Sequence, residues 1–193
     1  RGADAALGAA SGAAGDAAPV RLTSRELGAL LHRAAVCQDS RRVRDLLSSQ
    51  HGNCVRGALA EQDADGYTPL HVCLLAPCRA EHAGAPLEIV RAMLQALAEP
   101  GHQSGRGELP LVAAALSGDP GVVAELLRAD ARADAADVRG RTALMEACQA
   151  DFVDVASLLV RSRASLDRAD PSGRTALALA PPRSAVARRL APS

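Results

Sequence analysis

Residues Asp137 to Ala180 read DVRGRTALMEACQADFVDVASLLVRSRASLDRADPSGRTALALA, and this stretch contains its own beginning twice. Gly140-Arg141-Thr142-Ala143-Leu144 returns as Gly173-Arg174-Thr175-Ala176-Leu177, 33 residues later. Self-similarity at a fixed period of this length marks a chain of stacked supersecondary units rather than one closed core. Within one unit, Thr142 is placed to cap a short helix carrying Leu144, Ala147 and Cys148. A break at Ala150-Asp151 precedes a second helix with Val155, Leu158 and Leu159. Polar residues then lead to the turn signal Asp170-Pro171-Ser172-Gly173. One such helix pair has too small an apolar face to stand alone, and stacking buries a shared core.

Working outward, the same unit recurs with local departures. Upstream, Leu109-Pro110-Leu111-Val112-Ala113-Ala114-Ala115 opens a unit whose second helix, after Gly118-Asp119-Pro120, carries Val122, Val123, Leu126 and Leu127. Before it, Asp63-Ala64-Asp65-Gly66 introduces a helix from Pro69 to about Ala76 and a second one opened by Pro86 with Ile89, Val90, Met93, Leu94 and Leu97. Pro77 to Gly84 is an eight-residue insertion between them, and insertions in repeat arrays map to loops. Thr23-Ser24-Arg25-Glu26 fits a capping box at the first helix. Asp39 is placed to cap its partner, which bears Val43, Leu46 and Leu47, and His51 to Gly57 reads as a long loop. At the other end, Pro181-Pro182 cuts a helix short before an arginine-rich last turn from Ser184 to Leu190.

Gly66-Tyr67-Thr68-Pro69-Leu70-His71-Val72-Cys73 resembles the T-P-L-H-x-A pattern of ankyrin repeats, with Cys73 in place of the final Ala. Leu30-Leu31-His32-Arg33-Ala34-Ala35 is similar, with Leu in place of Pro. The resemblance spans about residues 28–190. It implies an all-α ankyrin-repeat solenoid of about five helix-turn-helix units with β-turn tips, the first and last degenerate. The expected limits are a flexible Ala/Gly-rich tail over 1–22, an array over 23–193, and repeats at 28–62, 63–103, 104–136, 137–169 and 170–193. The resemblance also gives His32 and His71 a structural role, hydrogen-bonding neighbouring turns.

Composition agrees with thin stacked layers. The chain of 193 residues is 48% apolar yet 1% aromatic, with one Phe, one Tyr and no Trp. Its 22 basic residues, all Arg, balance 22 acidic ones, so no global charge points to nucleic acid or a membrane surface. No apolar run reaches the length of a transmembrane helix. Five Cys follow no disulfide-scaffold pattern, which suits a reducing, intracellular compartment, cytoplasmic or nuclear. The chain opens at Arg1 rather than Met, as a fragment or processed form would.

No nucleophile elbow is present, and Gly101 to Gly107 lacks the following G-K-[ST] of a phosphate loop, so it reads as a connecting loop. The chain is expected not to be an enzyme and to need no cofactor. One alternative is zinc bound through Cys73, Cys78 and His82 in the insertion, although no fourth ligand is evident. Another is a permanent structural subunit of a larger assembly.

The resemblance places partner binding on the turn tips and the adjoining face of the first helices. Carried over by position, it selects Asp65, Tyr67 and Leu75, then Arg106, Glu108 and Leu116, then Val138, Arg139, Arg141 and Gln149, and finally Ser172 and Arg174. Tyr and Arg are the commonest hot-spot residues. Arg106, Arg139, Arg141 and Arg174 recur at successive tips, which suggests a partner protein with an acidic patch. The reading is therefore a non-enzymatic adaptor or scaffold, a monomeric module or part of a larger chain or complex.

Overall fold

The computed structural model describes residues 22–48, 54–76 and 85–190. The Ala/Gly-rich tail and the 77–84 insertion lie outside the described residues, apart from Leu22. The helices are α1 (Ser24–Val36), α2 (Ser40–Ser48), α3 (Cys54–Ala60), α4 (Pro69–Leu75), α5 (Ala85–Gln95), α6 (Pro110–Ser117), α7 (Pro120–Arg128), α8 (Ala143–Gln149), α9 (Val153–Arg161), α10 (Ala176–Leu179) and α11 (Ala185–Leu190). First helices stack as one layer, α1 on α4 on α6 on α8 on α10. Second helices stack as another, α2 on α5 on α7 on α9 on α11. The described residues contain no strand beyond two isolated bridges, Ala136 with Thr142 and Ala169 with Thr175. No helix among them is long and apolar enough to cross a membrane.

Local chemistry sets the helix starts. Thr23 makes the full capping box with Glu26. The Thr142 hydroxyl accepts from the Met145 amide, and Asp119 accepts from those of Gly121 and Val122. Leu109 offers no such cap, and Pro110 opens α6 instead, where its missing N–H costs nothing. Buried side chains recur in register: Leu31, Leu70, Leu111 and Leu144 from the first helices, Met93, Leu126 and Leu159 from the second. Ala35, Ala115 and Cys148 are small and fully buried, so the layers close without large rings.

The second helices of three successive units end alike. Leu97, Asp130 and Arg163 have φ of 69°, 65° and 66°, at 33-residue intervals. Each is followed by a buried Ala whose amide donates back across the last turn: Ala98 to Met93, Ala131 to Leu126, Ala164 to Leu159. This is the left-handed C-terminal turn that favours glycine, and the chain uses ordinary residues there. Leu97 was expected to sit in the apolar stripe of α5. It lies beyond the helix end instead and is 66% exposed. Leu97→Gly is therefore expected to raise stability by about 1 kcal/mol, read as a higher urea midpoint at unchanged m-value.

The structure also corrects the loop expected from His51 to Gly57. Residues 51–53 are outside the described set, but Cys54–Ala60 is helix α3, packed on α1. Val55, Ala58 and Leu59 are buried. Close approach is possible because Gly28 has no side chain: a Cβ there would lie 2.9 Å from the Glu61 Cβ.

Candidate partner-binding face

Between layers of helices the chain forms four fingers, 63–67, 104–108, 137–141 and 170–174, each a turn closed in the same way. The amide of the first residue donates to the carbonyl of the fifth, at 2.9 Å in all four. The fourth residue is Gly66, Gly107, Gly140 or Gly173, with φ between 73° and 82°. In three fingers an Asp side chain braces the loop. Asp137 Oδ1 accepts from the Arg139 and Arg141 amides, Asp170 Oδ1 from those of Ser172 and Arg174, and Asp63 Oδ1 from those of Asp65 and Tyr67. In the finger at 104–108 the Ser104 hydroxyl substitutes, accepting from the Glu108 amide. The fingers also touch one another: Gly105 abuts Gly66, Val138 covers Gly107, and Pro171 covers Gly140.

Histidines tie the helices to the fingers. His32 Nε2 lies 2.8 Å from the Tyr67 carbonyl, and His71 Nε2 lies 3.1 Å from the Glu108 carbonyl. His71 is fully buried, and its Nδ1 accepts from the Thr68 hydroxyl at 2.8 Å. Burial lowers its pKa to about 4, so the ring is neutral at physiological pH. Both histidines hold adjacent units together, in the role expected of them.

The predicted site residues fall into three groups. Asp65, Tyr67 and Arg106 come together at the second and third fingers. Arg106 Nη2 donates to Asp65 Oδ1 at 3.0 Å, and its guanidinium carbon sits 5.4 Å from the Tyr67 ring centre. Tyr67 is half-buried, and Glu108 lies beside it in the stack with its carbonyl on His71. Arg139, Arg141, Gln149, Ser172 and Arg174 line one hollow of about 420 Å³, together with Glu146, Asp170 and Pro171. The third group is apolar. Leu75 and Leu116 are 40% and 46% exposed at the ends of α4 and α6, and Val138 is 69% exposed on its finger.

The arginine row is less uniform than its spacing suggests. Arg106 is paired with Asp65, Arg139 with Asp137 at 3.1 Å, and Arg174 with Asp170 at 2.9 Å. The Asp170 carboxyl is held below the usual range, chiefly by the Arg174 amide, with its guanidinium adding to the effect. Hydrogen bonding to Asp137 raises the Arg139 value. Arg141 is different in kind. Its side chain is 13% exposed and bonds the equally sheltered Glu146 on α8 at 2.9 Å. Its other end donates to Gln149, so it fastens the finger to the helix.

Sequence reading missed Val36. It is 60% exposed at the end of α1, four residues after His32, as Leu75 is four after His71. Leu116 and Gln149 take the same register position on α6 and α8. The signal was present in the alignment of Leu30 to Ala35 with the later units. Cys148 is buried, and desolvation, with the Asp151 charge adding to it, pushes its thiol up to about 11. Cys73 is buried on α4, while Cys78 and His82 lie outside the described residues. Among the described residues no three His, Cys, Asp or Glu side chains are grouped to hold a metal ion.

The stacked pairs, braced fingers and 33-residue register agree with the comparison with protein families. The model for ankyrin repeats (3 copies) matches residues 78–170 and 111–191, together more than half of the chain. No curated protein is matched by the chain. Ankyrin repeats generally mediate protein–protein interaction and are typically non-enzymatic modules. With the two-layered helical stack in place and the family model spanning its last units, the chain belongs to the ankyrin-repeat family.

Proposed function

We propose that the chain is a non-enzymatic adaptor or scaffold module that holds a partner protein across the finger tips and the exposed ends of the first helices. The observation that carries this reading is the row Val36, Leu75 and Leu116. These are large apolar side chains left in solvent at one register position on three adjacent helices. Scattered exposed apolar residues are ordinary, but an aligned row rimmed by polar fingers marks an interaction surface. Tyr67, steadied by Arg106, supplies an amphipathic anchor at its edge.

The acidic patch expected on the partner has narrower support. Arg106, Arg139 and Arg174 each hold a carboxylate of the chain itself, so a partner's acid would have to exchange for one already in place. The Arg106–Asp65 pair, exposed on both sides, sets register and encounter more than affinity, while Asp137 and Asp170 are sheltered carboxylates that hold their arginines to the fingers. A reducing compartment, cytoplasmic or nuclear, fits Cys73 and Cys148 buried in the core as thiols.

The test is affinity capture from native lysate with wild type, Leu75→Lys/Leu116→Lys and Arg106→Ala/Arg139→Ala. Lysine suits the last turn of a helix, so the first pair should leave the circular dichroism unchanged. We expect the Leu pair to lose a partner that wild type retains, and the Arg pair to weaken capture mainly at low salt. Retention of every partner by the Leu pair would remove this face from consideration.

A further inference from the structure

We infer that the partner segment lying on this row is an amphipathic α-helix with large apolar residues at positions i, i+7 and i+14. The inference rests on reading this face as a partner site. Val36, Leu75 and Leu116 sit on helices that stack side by side, α1 on α4 on α6. The two steps are alike, because His32 reaches the Tyr67 carbonyl as His71 reaches that of Glu108. Packed helices lie about 8–10 Å apart, so the row presents an apolar knob roughly every 10 Å.

A partner must meet that interval on one side of its own backbone. An α-helix rises about 10.5 Å in seven residues and returns to nearly the same face. A β-strand covers the interval in about three residues, but an odd step turns the side chain to the opposite face. A polyproline helix matches at about 9.3 Å in three residues, yet such ligands dock on aromatic-lined grooves. Here the row is aliphatic, and the whole chain holds one Tyr and one Phe.

Charge gives the helix a direction. The finger beside α4 carries the acids Asp63 and Asp65, the latter paired with Arg106, whereas the finger before α8 carries the exposed guanidinium of Arg139 on a sheltered Asp137. A helix whose N-terminal end, with its partial positive charge, lies toward Asp63 meets the one exposed acid of these fingers that no arginine among the described residues already holds. The row ends at Gln149, tied to Arg141, so about 15 residues of helix suffice.

Two displayed libraries would decide the matter, one of single helices on a rigid scaffold and one of unconstrained peptides of similar length. Both would be panned against the wild-type chain, with Val36→Lys/Leu75→Lys/Leu116→Lys, verified as folded, as the competitor to be rejected. Enriched helices should keep apolar residues at a seven-residue interval. They should bind wild type at least about tenfold tighter than the variant, and lose that margin when one apolar residue is moved two positions. Enrichment of proline-rich or other extended peptides alone, of helices without the interval, or of nothing would overturn the inference. If that happens while Leu75→Lys/Leu116→Lys still abolishes capture of a natural partner, the face remains a partner site and only the helical occupant is wrong.

Discussion

Replacing Arg141 with Leu will destabilise the fold by about 3 kcal/mol, whereas Arg106→Ala will move the urea midpoint little. The difference follows from solvent. The Arg141 and Glu146 side chains are 13% and 11% exposed and lie 2.9 Å apart, so removing the cation leaves a sheltered carboxylate with no counter-charge. The same substitution frees the side-chain amide of Gln149 and detaches the 137–141 finger from α8. Arg106 and Asp65 are both mostly in water, where their pair is screened, whereas Arg139 faces a fully sheltered Asp137 whose carboxylate keeps the Arg139 and Arg141 amides as donors, so Arg139→Ala should fall between Arg106→Ala and Arg141→Leu. The double variant Arg141→Leu/Glu146→Leu isolates the pair term. Most of the loss should be recovered, because neither charge is then stranded. If the two single losses simply add, the pair is not coupled and the finger is held by its backbone alone. Charge reversal at Arg141 is accordingly a poor probe of partner binding, since it would set two carboxylates side by side and unfold what it was meant to test.

The fold was legible because each unit repeats its instructions. Thr142 and Thr175 cap equivalent helices, Asp137 and Asp170 brace equivalent turns, and 33 residues separate each pair. One well-read unit therefore predicts its neighbours. α3 escaped because its seven residues, interrupted by Gly57, could not hold a helix alone. Packing against α1, with Gly28 admitting the contact, makes it one, and no local pattern reports that. Leu97 was misplaced for the opposite reason. The apolar period of α5 continues through it, but the backbone has already turned left-handed at φ 69° without the glycine that normally announces the end.

On the candidate face, positions were readable and partnerships only partly so. The Asp170–Arg174 pair was within reach of sequence, being four residues apart and repeated as Asp137–Arg141 in the preceding unit. Yet at 137–141 it is Arg139 that bonds the Asp side chain, while Arg141 turns to Glu146. Asp65 and Arg106 are 41 residues apart and meet only because the fingers stack with Gly105 against Gly66. Spacing located the arginines, and three-dimensional stacking decided which of them remained exposed.

Acidification should destabilise the chain well before its carboxylates are protonated, and His71 is the cause. Desolvation lowers its folded-state pKa from an ordinary 6.5 to about 4. The Glu108 carbonyl and the Asp63 charge oppose that shift without cancelling it, and the His102 charge adds to it. In the unfolded chain the ring regains its ordinary value, so between about pH 6.5 and pH 4 the unfolded state binds a proton that the folded state refuses. Stability is therefore fully present above the unfolded value and drains away as the pH falls toward the folded one, by about 3 kcal/mol in all. Geometry supplies the reason. Nδ1 already accepts from the Thr68 hydroxyl, so a proton there would break that bond inside a fully buried site. Glu26, Glu125, Asp151 and Asp170 have lowered values and contribute in the same direction, but only below about pH 5. His71→Gln cannot titrate. At pH 8 wild type should be the more stable of the two, and the gap should close as the pH falls to about 4.5. A proton NMR titration of the folded chain should place the ring's own midpoint near 4. A midpoint near 6.5, or denaturation curves for the two chains that run parallel across this range, would show that burial of His71 does not govern the acid limb.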